Sequence, residues 1–134
     1  TSNFEEVENT FNNEPIKEVK EFFKSLYTEV NTGGEKFLTK EEFDNFISRA
    51  FQNNNSITPL RLRLKRGDKT RVQYLFFEFK EYCKGGKGTN NEKYITLLTD
   101  NFTNYEFATV KGNFDKKPDD IYQLPNLLNN KISS

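Results

Sequence analysis

The sequence predicts an α+β domain in which N-terminal helices pack on one face of a curved, four-stranded antiparallel sheet. Two observations lead to this class. Apolar residues recur at helical spacing over the first fifty residues, and from residue 60 the pattern changes to alternation between apolar and charged side chains. Because the helical segments precede all of the predicted strands, helices and strands are expected to form separate layers.

Two helices are predicted in the N-terminal part. The first covers residues 15–30, where Pro15 lies in the first turn and apolar residues repeat every three or four positions. The second covers residues 39–51 and opens with Thr39 and Glu42, which have the spacing of a capping box.

Four strands are predicted to follow, joined as successive hairpins. In the first of them leucines alternate with basic residues, which indicates one apolar face and one basic face. The second is apolar on both faces around residues 74–77, which is typical of a covered, central strand. The predicted strands are residues 60–65, 70–82, 94–99 and 102–114.

A chain of 134 residues has the length of one domain. We predict that residues 14–114 form this single α+β domain. Residues 1–13 would be an arm or a short helix, and residues 115–134 a polar C-terminal tail.

Composition excludes several classes of protein. The chain has no histidine and one cysteine, Cys83, which rules out a histidine-based triad, a Cys/His zinc site and an internal disulfide. No stretch approaches the ~20 apolar residues that span a bilayer. Lys and Arg balance Asp and Glu at 20 each, and zero net charge argues against a dedicated nucleic-acid binder. We expect no cofactor.

No metal site is predicted either. Residues 31–42 lie between the two helices, as a calcium loop would. However, Gly33 and Lys36 stand where an oxygen ligand and a glycine are required, so we interpret this segment as an ordinary connection.

The order of elements over residues 14–114 resembles that of the cystatin-like and nuclear-transport-factor-2-like superfamily. There a long N-terminal helix, here residues 15–30, lies across a curved antiparallel sheet. Members include transport adaptors, periplasmic assembly domains of conjugation and secretion machines, small lipoproteins, and cyclases or isomerases. The resemblance implies a concave sheet face and frequent self-association, and it carries no catalytic residue over to this chain.

Six cations within eleven residues form the main candidate binding surface, which we term the basic stripe. They could hold an acidic protein partner or an acidic membrane surface. The structural alternative is the solvent face of an edge strand, where charges discourage aggregation. The basic stripe consists of Arg61, Arg63, Lys65, Arg66, Lys69 and Arg71.

The tripeptide Arg66-Gly67-Asp68 lies at the predicted tip of the first hairpin. Integrins read this tripeptide, so one hypothesis is an adhesion protein that presents it. The alternative is that Gly-Asp serves only as turn chemistry between two strands.

Glu78 and Tyr74 are the candidates for acid–base chemistry. On the predicted central strand both point to one face, and an apolar setting would raise the pKa of the Glu78 carboxyl. A Glu beside a Tyr in a cone-shaped pocket could then serve an enzyme or a carrier of small molecules. Alternatively, Glu78 lies at an exposed strand end and pairs with a neighbour.

The first functional hypothesis is a non-enzymatic binding or assembly domain, because the missing histidines remove the commonest catalytic group. Its partner would be another protein or a second copy of the chain. Since the chain begins at Thr1 and contains no methionine, we expect that a leader has been removed or that a domain has been excised. We therefore predict an exported protein, a lipoprotein or a component of an envelope complex such as a conjugation or secretion system.

Overall fold

A computed structural model of the chain describes residues 9, 11, 14–54, 56–83, 91–119 and 123–125. These residues form six helices and two isolated β-bridges, with no strand or sheet among them. The predicted α+β class, with its four-stranded antiparallel sheet and cystatin-like architecture, is therefore wrong. The helices are α1 (Ile16–Phe23), α2 (Ser25–Thr28), α3 (Lys40–Phe51), α4 (Asp68–Tyr82), α5 (Asn91–Asn101) and α6 (Phe107–Asn113).

The largest correction concerns residues 70–82, which were predicted as the central strand and lie in α4. Val72, Leu75, Phe76 and Phe79 are all buried, and their spacing of three or four residues is that of one helix face. A run that is apolar on both sides fits a central strand and a buried helix alike, since periodicity does not separate them. The 15-residue length of α4 is the feature that favours a helix.

The two C-terminal strands are also wrong, because residues 94–99 lie within α5 and most of residues 107–114 within α6. In α5 the buried apolar residues are Tyr94, Ile95, Leu97 and Leu98. Strict alternation would bury either the even or the odd positions, but both are buried here, and all four residues fit one broad helix face.

The N-terminal helices are where the prediction holds. The predicted helix at 15–30 is divided into α1 and α2, which are separated at Lys24, and Pro15 stands at the N-cap of α1. The capping box at the start of α3 is confirmed. The Glu42 N–H donates to Thr39 Oγ1 at 3.1 Å, and the Thr39 N–H donates to Glu42 Oε1 at 2.8 Å.

Residues 60–65, the first predicted strand, pair with no strand in the part of the chain that the structure describes. Leu60 instead forms an isolated parallel bridge with Phe102. The Leu62 N–H donates to Asn104 Oδ1 at 2.7 Å, and Asn104 Nδ2 donates to the Leu62 carbonyl at 3.1 Å. On the other side the Arg63 N–H donates to the Phe37 carbonyl at 3.2 Å. The segment therefore lies between two connecting loops rather than in a sheet.

The core is built largely from phenylalanine rings contributed by α1, α3 and α4. The ring centroid of Phe23 lies 4.7 Å from that of Phe79, 4.9 Å from that of Phe76 and 5.5 Å from that of Phe46. Tilted and edge-on aromatic pairs at these distances contribute about 0.5–1.5 kcal/mol each beyond their burial. The packing fixes α4 against the N-terminal helices, and the start of α4 borders the candidate site.

Residues outside the predicted domain 14–114 also contact this core. The Phe11 ring lies edge-on to Phe51 at 5.5 Å and to Tyr94 at 5.2 Å, and Leu124 is buried. The boundaries at residues 13 and 115 stay a prediction.

Candidate functional site

The start of α4 is organised around the carboxylate of Asp68, which has no exposed surface. Its Oδ2 accepts from the Thr32 N–H at 3.1 Å, from Thr32 Oγ1 at 3.2 Å and from the Lys65 N–H at 2.8 Å. Its Oδ1 accepts from Arg71 Nη1 at 2.8 Å. One carboxylate thus joins the loop after α2, the backbone at Lys65 and α4.

The electrostatics of Asp68 follow from these contacts. Burial alone would raise the pKa of Asp68, but the N–H groups of Thr32 and Lys65 and the guanidinium of Arg71 hold it below its ordinary value of 3.8. The carboxylate is therefore charged at neutral pH and stays bonded within the protein.

This burial bears on the adhesion hypothesis. Arg66 and Gly67 form the turn that leads into α4, and Gly67 at the N-cap has a φ of +86°, which glycine adopts without strain. The Asp68 carboxylate, however, is not presented at the surface. The tripeptide therefore serves as a turn and helix start, and its carboxylate is not accessible to an external receptor.

The loop between α2 and α3 forms one wall of the site. Asn31 Oδ1 accepts from the Gly33 N–H at 2.7 Å and the Glu35 N–H at 3.0 Å, while Asn31 Nδ2 donates to the Arg63 carbonyl at 3.0 Å. The Asn31 side chain is thus hydrogen-bonded to backbone groups at both its oxygen and its nitrogen. In the part of the chain that the structure describes, no group of three or more His, Cys, Asp or Glu side chains could hold a metal ion.

A cleft of about 570 Å³, which we term the basic cleft, opens between this loop, the start of α4 and the segment after α6. Of the described side chains that line it, four are cations and one is a carboxylate. The lining residues are Thr32, Arg66, Gly67, Thr70, Arg71, Lys116, Lys117, Pro118 and Asp119.

The cations of the basic cleft differ in how they are held. The Arg71 side chain is only 12% exposed, is bonded to Asp68, and lies over the Phe37 ring at 5.5 Å. Arg66 and Lys116 are exposed, and among the described residues neither has an acidic partner. The basic cleft therefore combines a fixed arginine in its wall with cations that are available to a ligand.

The basic stripe is divided by the fold. Arg66 and Arg71 line the basic cleft, while three others line a second opening of about 420 Å³, the mixed cleft. Lys69 lies elsewhere, with its Nζ 5.4 Å from the centroid of the Tyr105 ring. The lining residues of the mixed cleft are Glu35, Glu42, Arg61, Leu62, Arg63, Leu64, Lys65 and Asn104.

In the mixed cleft two of the three cations face carboxylates. Arg63 Nη1 lies 2.8 Å from Glu42 Oε1, and Lys65 Nζ lies 3.9 Å from Glu35 Oε1. The hydrogen bond from Arg63 holds the pKa of Glu42 below its ordinary value. Arg61 is exposed and has no acidic partner in the described ranges. The mixed cleft is therefore close to electrically balanced.

Tyr105 lies against the chain at the start of α4. Its hydroxyl donates to the Lys69 carbonyl at 2.7 Å. Burial, and to a smaller extent the charge of Asp68, raises the pKa of Tyr105 far above its ordinary value. The contact ties the segment between α5 and α6 to the first turn of α4.

Tyr74 and Glu78 lie four residues apart on α4, away from the basic cleft. Glu78 is buried, and the half-buried Tyr74 ring stacks on Phe77 at 5.6 Å. Burial, together with the carboxylates of Glu78, Glu81 and Asp115, raises the pKa of Tyr74. Because the described residues form no sheet, the expected cone-shaped pocket has no sheet to enclose it.

Sequence reasoning missed Lys116 and Lys117, which it assigned to the polar tail. The adjacent pair of lysines before Pro118 was a visible signal of local charge. Their proximity to Arg66, fifty residues earlier, depends on the packing of α4, α5 and α6 and has no local signature.

No helix in the described ranges combines the length and the apolar character needed to cross a membrane. Comparison of the chain with known protein families, with curated proteins and with solved structures found no match.

Proposed function

We propose that this chain is a non-enzymatic binding or assembly domain whose working surface is the basic cleft and whose partner is an acidic segment of another protein. The observation that supports it is the gathering of Arg66, Arg71, Lys116 and Lys117 around one cavity that, among the residues described by the structure, contains a single carboxylate. In a chain with no net charge, this is a local concentration of cations.

The concave shape of the basic cleft strengthens the attraction of its cations for an acidic partner. Walls of low dielectric constant around clustered charges of one sign focus the field and raise the local concentration of an oppositely charged partner. Such complementarity sets the association rate and the choice of partner. The Asp68 contacts hold Arg71 and the backbone of Lys65 in the wall, which lowers the cost of ordering these groups when a partner binds.

Two features favour a protein segment over a nucleic acid or a membrane. The chain has no excess of cations overall, whereas nucleic-acid binders usually present a broad basic face. The basic cleft is also a concave site that is open to solvent, and its volume lies within the range of about 300–1,000 Å³ typical of ligand sites. Export, lipid anchoring or membership of an envelope complex stays a prediction.

The test uses a fluorescently labelled oligoglutamate peptide and fluorescence anisotropy. Charge reversal at Arg66→Glu and Lys116→Glu together should weaken binding by about tenfold or more. The matched control reverses Lys17→Glu and Lys20→Glu, two exposed lysines of α1, and should leave binding within about twofold. Circular dichroism checks that both variants keep the helical fold.

Equal loss of binding in both double variants would contradict the proposal, because the effect would then follow net charge and not the basic cleft. Vesicles of anionic lipid form a second arm. If they bind through Arg66 and Lys116 while the peptide does not bind, the partner is a membrane surface and the protein-binding proposal fails.

A further inference from the structure

We propose that the acidic group received by the basic cleft is a phosphate monoester, carried on a serine or threonine of the partner. This inference rests on the proposed function and narrows it to one chemical class. It concerns the same cavity, but a different property of its lining: the kinds of donor that surround it.

Those donors come from two separate segments of the chain. Arg66 and Thr70 lie around the start of α4, and Lys116 follows α6, while the hydroxyl and the N–H of Thr32 already donate to Asp68 Oδ2. Guanidinium, hydroxyl and ammonium groups thus line one cavity. This suits a tetrahedral group with three terminal oxygens better than a planar carboxylate with two.

Charge supports the same class. A phosphate monoester carries about −1.5 to −2 at pH 7, against −1 for a carboxylate. Arg66 and Lys116 both lack an acidic partner in the described part of the chain, so one dianion could engage both. A single carboxylate would leave one of them without a counter-charge.

The cavity is larger than a phosphate group. About 570 Å³ leaves room for the side chain that bears the phosphate and for its neighbours in a peptide. Pro118 and two threonines also line the cavity, so its surface is not formed by charged side chains alone. A peptide-borne phosphate therefore fills the site better than a free inorganic ion.

Asp119 also lines the basic cleft and opposes any anion there. Asp119 also allows a test of whether the ligand is an anion, because removal of its negative charge should strengthen phosphate binding. The mixed cleft does not offer an equivalent site, because Glu42 and Glu35 already lie against Arg63 and Lys65.

The experiment compares two peptide libraries with randomised flanks. One carries a central phosphoserine, and the other carries an Asp-Glu pair in its place, so that total charge is matched. We expect the phosphoserine library to bind about tenfold more tightly at the same salt concentration. Lowering the pH from 7 to 5 should remove much of this advantage, because the second phosphate pKa is about 6. With no histidine in the chain, no imidazole titrates in that window.

Three variants locate the effect. Arg66→Gln with Lys116→Gln should abolish binding of the phosphoserine library, and Asp119→Asn should strengthen it by about two- to fivefold. Thr70→Val keeps size and shape but removes the hydroxyl. It should reduce the preference for phosphate by about threefold and leave the charge-matched library unchanged, which a merely structural role of Thr70 would not do.

The outcomes separate the two proposals. Equal binding of both libraries would overturn the phosphate inference and leave the acidic-partner function standing. Failure of both libraries to bind would overturn both. Binding of anionic vesicles in preference to the phosphoserine library would overturn the inference in favour of a lipid phosphate.

Discussion

Replacement of Asp68 by Asn should destabilise the protein by about 3 kcal/mol. The side chain is fully buried, and it is the ionic partner of Arg71, which is 12% exposed. Removal of one member of a buried ion pair costs about 3–5 kcal/mol because the other charge stays desolvated. We expect the lower end of this energy range because the Asn oxygen can still accept from Thr32 and Lys65, and because Arg71 keeps some contact with solvent.

Urea denaturation followed by circular dichroism measures this effect. With a slope of about 2 kcal/mol per molar, the midpoint should fall by about 1.5 M. The control is Asp44→Asn, which breaks an exposed pair with Lys40 whose side chains are 61% and 50% exposed, and it should cost less than about 0.5 kcal/mol. Equal midpoints for the two variants would refute the assignment of Asp68 as the organising contact.

The same variant has a pH signature. In the folded protein the pKa of Asp68 lies below its ordinary value of 3.8. The stabilisation from its charged form is therefore complete above that value and is lost as the pH falls through the lower, folded value. The difference in unfolding free energy between the wild type and Asp68→Asn should thus shrink in acid. A difference that stays constant down to about pH 2 would show that charge is not its source.

Two further outcomes follow from local geometry. Gly67→Ala should lower the unfolding free energy by about 1 kcal/mol because φ is +86° at the N-cap of α4, whereas Gly112→Ala within α6 should raise it by up to about 1 kcal/mol. Thermal unfolding compares the two variants, and a change of the same sign in both would contradict this explanation from backbone conformation. Glu42→Gln should cost about 1 kcal/mol at pH 7 by weakening the capping box and the half-exposed contact with Arg63. Because the pKa of folded Glu42 lies below its ordinary value of 4.5, this cost should be complete above pH 4.5 and shrink as the pH falls through the lower, folded value; a cost in urea titrations that does not shrink in acid would contradict this expectation.

The N-terminal helices could be predicted because their signals are local. Thr39 and Glu42 form the capping box within four residues, and Pro15 marks the start of α1 without reference to any distant contact. The break at Lys24 between α1 and α2 was not predicted, since apolar periodicity runs through it.

The C-terminal half was misjudged because its local signals were ambiguous. Residues 74–77 are apolar in succession, and only tertiary packing decides whether such a run is a strand or a helix covered on several sides. Alternation at residues 60–65 predicted a strand, whereas Leu60 forms only an isolated bridge with Phe102. It did not reveal that the side chain of Asn104, rather than a neighbouring strand, would bond to Leu62.

The candidate site was predicted in part. Charge density alone identified Arg66 and Arg71, which do line one cavity. The pairing of Arg63 with Glu42 and the addition of Lys116 depend on contacts between residues that are far apart in sequence. Patterns of neighbouring residues do not encode those contacts.

The contact between Tyr105 and the Lys69 carbonyl has a practical consequence. The chain contains no tryptophan, so its near-ultraviolet absorbance comes mainly from six tyrosines. At about pH 11 an exposed phenol is ionised. Tyr105 can lose its proton only when the segment between α5 and α6 separates from the first turn of α4. The slow component of an alkaline absorbance jump that is lost in Tyr105→Phe therefore times the opening of the structure next to the basic cleft, without an added label.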